Sequence, residues 1–357
     1  MRARREQASG RLVPRLPHPM KFAALLLTAT AAFAAPASAP LVVAHRGASG
    51  YLPEHTQAAK VHAHALGADF IEQDLVLSKD DVPLVLHDIY LDTISDVATR
   101  FPGRQRADGR FYALDFTVAE LKQLQVRERF NARTGEPVYP KRYDSKATPG
   151  VFRISTLEEE LQVIQGLNRS SGRVAGIYPE IKAAKWHRDQ GRDVSRAVLP
   201  ILARYGYATK ADACFLQCFE LTEVRRLRGE LGWKGRLIML IGGGAKEADG
   251  TDYGALCTAA GIKELAGLVD GIGPAISRIV TWPAAGGAPK FTDLVRLAHD
   301  AGLAVHPYTI RVDDLPRNCP SADALHEALF ATARVDGVFT DFTDRTAAWL
   351  RRAGSRP

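Results

Sequence analysis

Residues 69–87 read DFIEQDLVLSKDDVPLVLH. Two β-rich apolar runs, 69–77 and 82–87, flank Ser78-Lys79-Asp80-Asp81. A parallel crossover takes a dozen or more residues, so a connection this short joins antiparallel neighbours and makes a hairpin. With Asp80-Asp81 as a two-residue turn, Asp74 is expected to face His87, and Glu72 shares the face of Asp74.

Outside this hairpin the rhythm is strand then helix. Apolar, β-rich runs fall at 41–46, 69–77, 174–182, 213–219, 236–241, 270–276, 304–310 and 336–342. Amphipathic patterns lie between them at about 56–66, 155–167, 193–205, 220–231, 252–266, 291–302, 322–334 and 343–352. Strands that are apolar throughout, alternating with helices, are parallel and buried on both faces. Eight such units predict an α/β fold, a (β/α)8 TIM barrel. Helix starts are marked by Ser155-Thr156 before LEEEL and by the capping-box pattern Thr117-x-x-Glu120. An open doubly wound sheet is the competing fold. Against it, no GxGxxG follows the first strand, and Gly242-Gly243-Gly244 reads as a loop. The long polar stretch 88–153, with one helix expected at 117–125, is too long for a barrel loop and reads as a small subdomain inserted after the hairpin.

The chain has 357 residues, 46% of them hydrophobic, with 30 Gly and 20 Pro. That composition excludes a disordered or collagen-like chain. At the N-terminus Lys21 precedes a mostly apolar run from Phe22 to Phe33 and the small-x-small sites Ala32-Phe33-Ala34 and Ala37-Ser38-Ala39. This is the pattern of a secretory signal, with Met20 a candidate start and cleavage expected after Ala34. Residues 1–34 thus form an upstream segment plus signal peptide, residues 35–357 a single domain, and the location is periplasmic or secreted. Removing residues 1–34 takes away six basic side chains and one acidic one, which lowers the net charge from +7 to +2. A nearly balanced mature chain carries no footprint for nucleic acid, and no stretch is expected to insert stably in a membrane. Oligomeric state is not legible. Cys214, Cys218, Cys257 and Cys319 lack zinc spacing, and a Cys257–Cys319 bridge stays open.

In a βα barrel the C-terminal strand ends converge on one mouth. Strand 1 ends in His45-Arg46-Gly47, strand 2 carries Glu72-x-Asp74, His87 arrives on the hairpin, and strand 3 carries Glu180-x-Lys182. Crowded carboxylates repel unless a cation joins them, and their hard oxygens suit Ca²⁺ or Mg²⁺ rather than zinc. Arg46 and Lys182 beside such an ion make a phosphate pocket. Two histidines can serve as acid and base near neutral pH. Together these groups describe cleavage of a phosphate ester. Each alone has an ordinary reading: a hydrogen-bonded structural histidine, a surface ion pair, a cross-strand salt bridge. All three would have to hold at once.

The stretches HRGASGYLPEHT (45–56), IEQDLVLSKDDVPLVLHD (71–88), YPEIK (178–182), HPYT (306–309) and GVFTDF (337–342) resemble the glycerophosphodiester phosphodiesterases, most of all the periplasmic bacterial type. The resemblance runs from about 41 to 350. It implies that His45 and His87 are the acid–base pair and that Glu72, Asp74 and Glu180 hold a divalent ion, Ca²⁺ in this branch with Mg²⁺ the alternative. It also implies that Arg46 and Lys182 contact phosphate, with Glu54 and Gln217 as further substrate-side residues. The implied reaction hydrolyses a small-molecule glycerophosphodiester to an alcohol and sn-glycerol 3-phosphate. Two competing readings are a phospholipase or sphingomyelinase on the same scaffold and a non-catalytic surface binding protein.

Overall fold

A computed structural model describes residues 39–143 and 150–356; the signal region 1–34 lies outside them. The strands are β1 (Leu41–Ala44), β2 (Phe70–Leu77), β3 (Pro83–Val85), β4 (Gly176–Ile181), β5 (Phe215–Cys218), β6 (Arg236–Ile241), β7 (Gly271–Pro274), β8 (Val280–Thr281), β9 (Lys290–Phe291), β10 (Ala304–Val305) and β11 (Gly337–Thr340). Eight of them, in the order β10-β7-β6-β5-β4-β2-β1-β11, pair in parallel. The ring closes through Asp336 N to Val305 O (3.0 Å), Phe339 N to Pro307 O (2.9 Å) and Ile310 N to Phe339 O (2.8 Å). This is the TIM barrel expected from the eight repeats.

The outer layer starts with helices Gln57–Ala65, Leu157–Ser171, Val194–Arg204 and Leu221–Gly229. It continues with Ala259–Ala266, Leu294–Asp300, Ala322–His326 running on through Glu327–Ala333, and Thr343–Arg352. Thr156 caps its helix through the box with Glu159, and Thr117 does the same with Glu120, although that helix stops at Leu121. Inside the barrel, Val43, Phe70, Tyr178, Phe215, Ile238 and Phe339 fill the floor. Phe70 needs a bare neighbour: a Cβ on Gly176 would lie 2.3 Å from its ring. A second apolar cluster, including Leu91, Phe111, Phe116, Leu121, Leu124 and Phe152, lies under the segment after β3. Among the described residues no helix is long and apolar enough to cross a membrane. Cys257 and Cys319 are free thiols, as are the buried Cys214 and Cys218.

The hairpin is real but its register differs from the expected one. β2 and β3 pair Leu75 with Val85, Val76 with Leu84 and Leu77 with Pro83, which puts Leu86 rather than His87 level with Asp74. The turn holds three residues, 79–81, not two. Asp81 takes a left-handed conformation (φ +61°), and Ser78 binds Val82 from both its backbone N–H (3.1 Å to the carbonyl) and its hydroxyl (3.0 Å from the amide). A left-handed third residue is the usual end of a three-residue hairpin loop. His87 then lies beyond the end of β3, where strand alternation no longer dictates its side.

A helix not expected from the sequence, Ala184–Asp189, follows β4 and carries the fully buried His187. Its Nδ1 donates to Ala183 O (2.9 Å) and its Nε2 accepts from Leu77 N (3.2 Å), a pattern available only to neutral imidazole. Burial accordingly holds its pKa below the ordinary 6.5. The unfolded chain therefore binds this proton first, so the stability contributed by neutral His187 is complete above about 6.5 and is lost as pH falls below it. We predict that His187→Gln flattens the acid limb of a urea-unfolding pH series by up to about 1.4 kcal/mol per pH unit. An unchanged slope would show that the site does not titrate with folding.

Candidate active site

β1 delivers His45 to the mouth, and the chain turns sharply after it. Arg46 (φ +58°) and Gly47 (φ +86°) are both left-handed, and a Cβ on Gly47 would lie 2.8 Å from the carbonyl carbon of Ala59. Only glycine fits there. The turn aims the Arg46 backbone N–H at Glu72 Oε2 (2.5 Å) and its guanidinium at Glu54 Oε2 (2.8 Å). On β2 the two-residue alternation puts Glu72 and Asp74 on the interior face. Register then sets Asp74 beside Glu180 of β4, and Glu180 beside Gln217 of β5. Lys182 Nζ meets Glu180 Oε1 at 2.8 Å and lies 3.9 Å from Asp74 Oδ1.

These groups share one small cavity of about 110 Å³, lined by His45, Arg46, Glu72, Asp74, His87, Glu180, Lys182 and Gln217, with Phe219 and Tyr308 on its wall. A larger hollow of about 1070 Å³, lined by Asp92, Arg110, Arg127 and others, lies in the segment after β3, away from this chemistry. Glu54 stands behind Arg46 rather than on the cavity, gripped by Arg46 and Arg129. His306, from the HPYT stretch, hydrogen-bonds Tyr178 in the barrel floor, while Tyr308 and Thr309 of that stretch reach the mouth.

The electrostatics are those of buried, crowded carboxylates. Burial, reinforced by Asp74, pushes the Glu72 carboxyl well above its usual range. Burial also raises Glu180, with Lys182 opposing and Asp74 adding to the rise. Burial would raise Asp74 too, but Lys182 and His55 outweigh it and hold Asp74 well below. Among the described residues, Asp74 Oδ1, Gln217 Oε1 and Arg46 Nε are buried with no hydrogen-bond partner. Two orphaned acceptors beside two carboxylates fit a hard, oxygen-seeking cation, and the orphaned donor fits an anion. The ligand atoms of His55, Glu72 and Asp74 lie within 4.8 Å of one another. His55 is nevertheless committed elsewhere, since its Nε2 bonds Asp74 Oδ2 (2.7 Å) and its Nδ1 meets Lys60 Nζ (3.2 Å). An ammonium has only hydrogens to offer, so His55 Nδ1 accepts and Nε2–H donates to Asp74. Burial and Lys60 draw its pKa down to about 3, which keeps this neutral form. With His55 committed, the oxygens that could face a cation are those of Glu72 and Asp74, with Glu180 beside Asp74 and Gln217 beside Glu180.

Both histidines of the mouth lean on carboxylates that sequence reading passed over. His45 Nδ1 pairs with Asp341 Oδ1 and His87 Nδ1 with Asp88 Oδ1, each at 2.6 Å. Asp341 and Asp88 are held ionised: burial opposes this, but His45 and Arg142 favour it at Asp341, and His87 and Arg129 at Asp88. An ionised carboxylate can only accept, so each Nδ1 carries the hydrogen and each Nε2 is left as the basic nitrogen. Burial, then Arg46 and Lys182, lowers His87 to about 4; burial and Arg46 lower His45.

A barrel mouth that gathers two imidazoles, three carboxylates, an arginine and a lysine is the arrangement of a hydrolase. Residues 45–345 match the model of the glycerophosphoryl diester phosphodiesterase family, and the chain belongs to that family and is an enzyme of it. It is 38% identical over 330 residues to the glycerophosphodiester phosphodiesterase of Haemophilus influenzae, covering 87% of this chain and 90% of that one. It is equally 38% identical over 332 residues to that of Treponema pallidum (88% and 92%). Its fold is similar to a putative glycerophosphoryl diester phosphodiesterase from Silicibacter pomeroyi (TM-score 0.65, 23% identity, 89% of this chain and 95% of that one). It is also similar to a phosphodiesterase from Oleispira antarctica solved in complex with the product sn-glycerol-3-phosphate (TM-score 0.57, 21% identity, 87% and 97%).

Behind the carboxylates, Lys60 and Glu160 are both fully buried and lie 3.3 Å apart, Lys60 also donating to the Glu72 carbonyl. Removing one member of such a pair strands a charge in the interior. We predict that Lys60→Met costs on the order of 3–5 kcal/mol in denaturant unfolding. Adding Glu160→Leu should recover a large part of that loss; a double variant no more stable than the single one contradicts this reading.

Proposed function

We propose that the enzyme hydrolyses glycerophosphodiesters, the deacylated forms of phospholipids, to an alcohol and sn-glycerol 3-phosphate. One observation carries the reading: His45 and His87, each tied through Nδ1 to an ionised carboxylate, line the same 110 Å³ cavity as three carboxylates, Arg46 and Lys182. The names of the Haemophilus influenzae and Treponema pallidum relatives support it.

Arg46 and Lys182 bind the phosphate, Arg46 with the Nε that makes no hydrogen bond among the described residues. Glu54 fixes Arg46 from behind, and Gln217 faces the substrate from β5. One imidazole Nε2 removes a proton from the attacking oxygen, and the other histidine protonates the departing alcohol. Burial lowers the pKa of both histidines, with Arg46 adding to the effect at His45 and Arg46 and Lys182 at His87. The negative diester offsets those charges, which lets one histidine hold the proton that the alcohol needs. Glu72, Asp74 and Glu180 hold a divalent cation, Ca²⁺ before Mg²⁺. When bound, that ion withdraws charge from a phosphate oxygen.

Release of glycerol 3-phosphate from glycerophosphocholine, read with a coupled dehydrogenase, tests the proposal. His45→Ala and His87→Ala should each lower turnover by about 10²–10⁴-fold. Exhaustive chelation should abolish activity and Ca²⁺ should restore it. Wild-type turnover in either variant, or full activity after chelation, would refute the corresponding role.

We also propose export to the periplasm, supported by the Lys21 to Ala39 sequence pattern. Amino-terminal sequencing of the mature protein is expected to begin at Ala35. A protein that retains Met1 or Met20 and stays in the cytoplasm would contradict this.

A further inference from the structure

Each mouth histidine heads a chain of three groups, and both chains end in the segment 88–153. Asp341 uses Oδ1 for His45, while its Oδ2 accepts from Arg142 Nη2 (2.7 Å) and Arg311 Nε (3.1 Å). Asp88 uses Oδ1 for His87, while its Oδ2 accepts from Arg129 Nη1 (2.6 Å). The two arginines are themselves fixed. Arg142, 4% exposed, is forked onto Asp313 through Nε (2.9 Å) and Nη2 (3.2 Å), and its guanidinium lies 3.8 Å from the Tyr139 ring centre. Arg129 grips Glu54 through Nη2 (2.6 Å) and Nε (3.2 Å), and Glu54 holds Arg46.

We propose that Arg129 and Arg142 are positioning residues for the acid–base pair, so that the segment after β3 completes the hydrolytic site. The inference rests on the reading of His45 and His87 as that pair. A guanidinium across the second oxygen of a carboxylate does two things. It keeps the carboxylate ionised, so that the carboxylate can only accept from Nδ1–H, and it removes the freedom to rotate away. The imidazole is thereby locked with Nε2 toward the cavity. Lysine cannot replace this grip, because a single ammonium cannot span Asp341 and Asp313 as a planar fork does. Arg129 does a second service, since through Glu54 it also orients Arg46. The segment therefore reaches both histidines and the phosphate-binding arginine through three residues, Asp88, Arg129 and Arg142.

The test is a pair of double-mutant cycles on glycerol 3-phosphate release, with thermal unfolding recorded for every variant. Arg142→Ala and Arg129→Ala should each lower kcat by about 10–100-fold, the range for partners that orient site ligands. Arg142→Ala should leave KM within threefold, whereas Arg129→Ala should also raise KM, because Arg46 loses its support. Arg142→Ala added to Asp341→Asn should cost less than a further twofold, since both act through one contact. Arg129→Ala added to Asp88→Asn should lose its effect on kcat but keep its effect on KM. Arg142→Lys and Arg129→Lys keep the charge and should remain folded with kcat still depressed. Wild-type kcat in folded alanine or lysine variants, or equal losses with and without the aspartate, would overturn the proposal. His45→Ala or His87→Ala with undiminished turnover would instead sink the acid–base reading beneath it.

Discussion

Three carboxylates on two neighbouring strands, each no more than 5% exposed, are the constraint around which this molecule is arranged. Two like charges 4 Å apart repel by about 4 kcal/mol at the effective dielectric of a protein near its surface. The barrel cannot leave Glu72, Asp74 and Glu180 as bare anions, and it does not. Arg46 and Lys182 stand in front of them, while His55 and Lys60 brace them from behind. Among the described residues Asp74 Oδ1 and Gln217 Oε1 make no hydrogen bond, so two acceptors remain open beside the three carboxylates.

The barrel explains why these groups can be held so closely. Parallel register aligns Asp74, Glu180 and Gln217 across three strands without any loop having to find its place. The left-handed turn at Arg46-Gly47 lets one residue serve Glu72 with its backbone and Glu54 with its side chain. The aromatic floor of Phe70, Tyr178, Phe215 and Phe339 keeps solvent from reaching the carboxylates from below.

The eight repeats and the strand-borne charges were legible in the sequence because each depends on short-range pattern: period-two alternation, capping boxes, apolar runs. Most of the supports were not legible, because they depend on distant contacts; Asp88, next to His87, is the exception. Asp341 lies 296 residues from His45, and beside the helix Thr343–Arg352 it reads as an ordinary helix-start acid. Arg129 and Arg142 are two arginines in a segment rich in them. The hairpin register differs because the loop takes three residues, 79–81, and ends in a left-handed Asp81, a choice the Asp80-Asp81 pair does not reveal in sequence. Lys60 left one faint signal, a lysine between Ala59 and Ala63 on the buried stripe of its helix. A charge there needs an internal partner, and Glu160 is that partner.

The most direct measurement is an anomalous difference map from crystals grown with Ca²⁺. The account requires a single strong peak at about 2.3–2.6 Å from oxygens of Glu72, Asp74 and Glu180 together, within the cavity that His45 and His87 line. A Ca²⁺-saturated crystal whose peak lies elsewhere, or whose three carboxylates bond only to Arg46, Lys182 and His55, would contradict it.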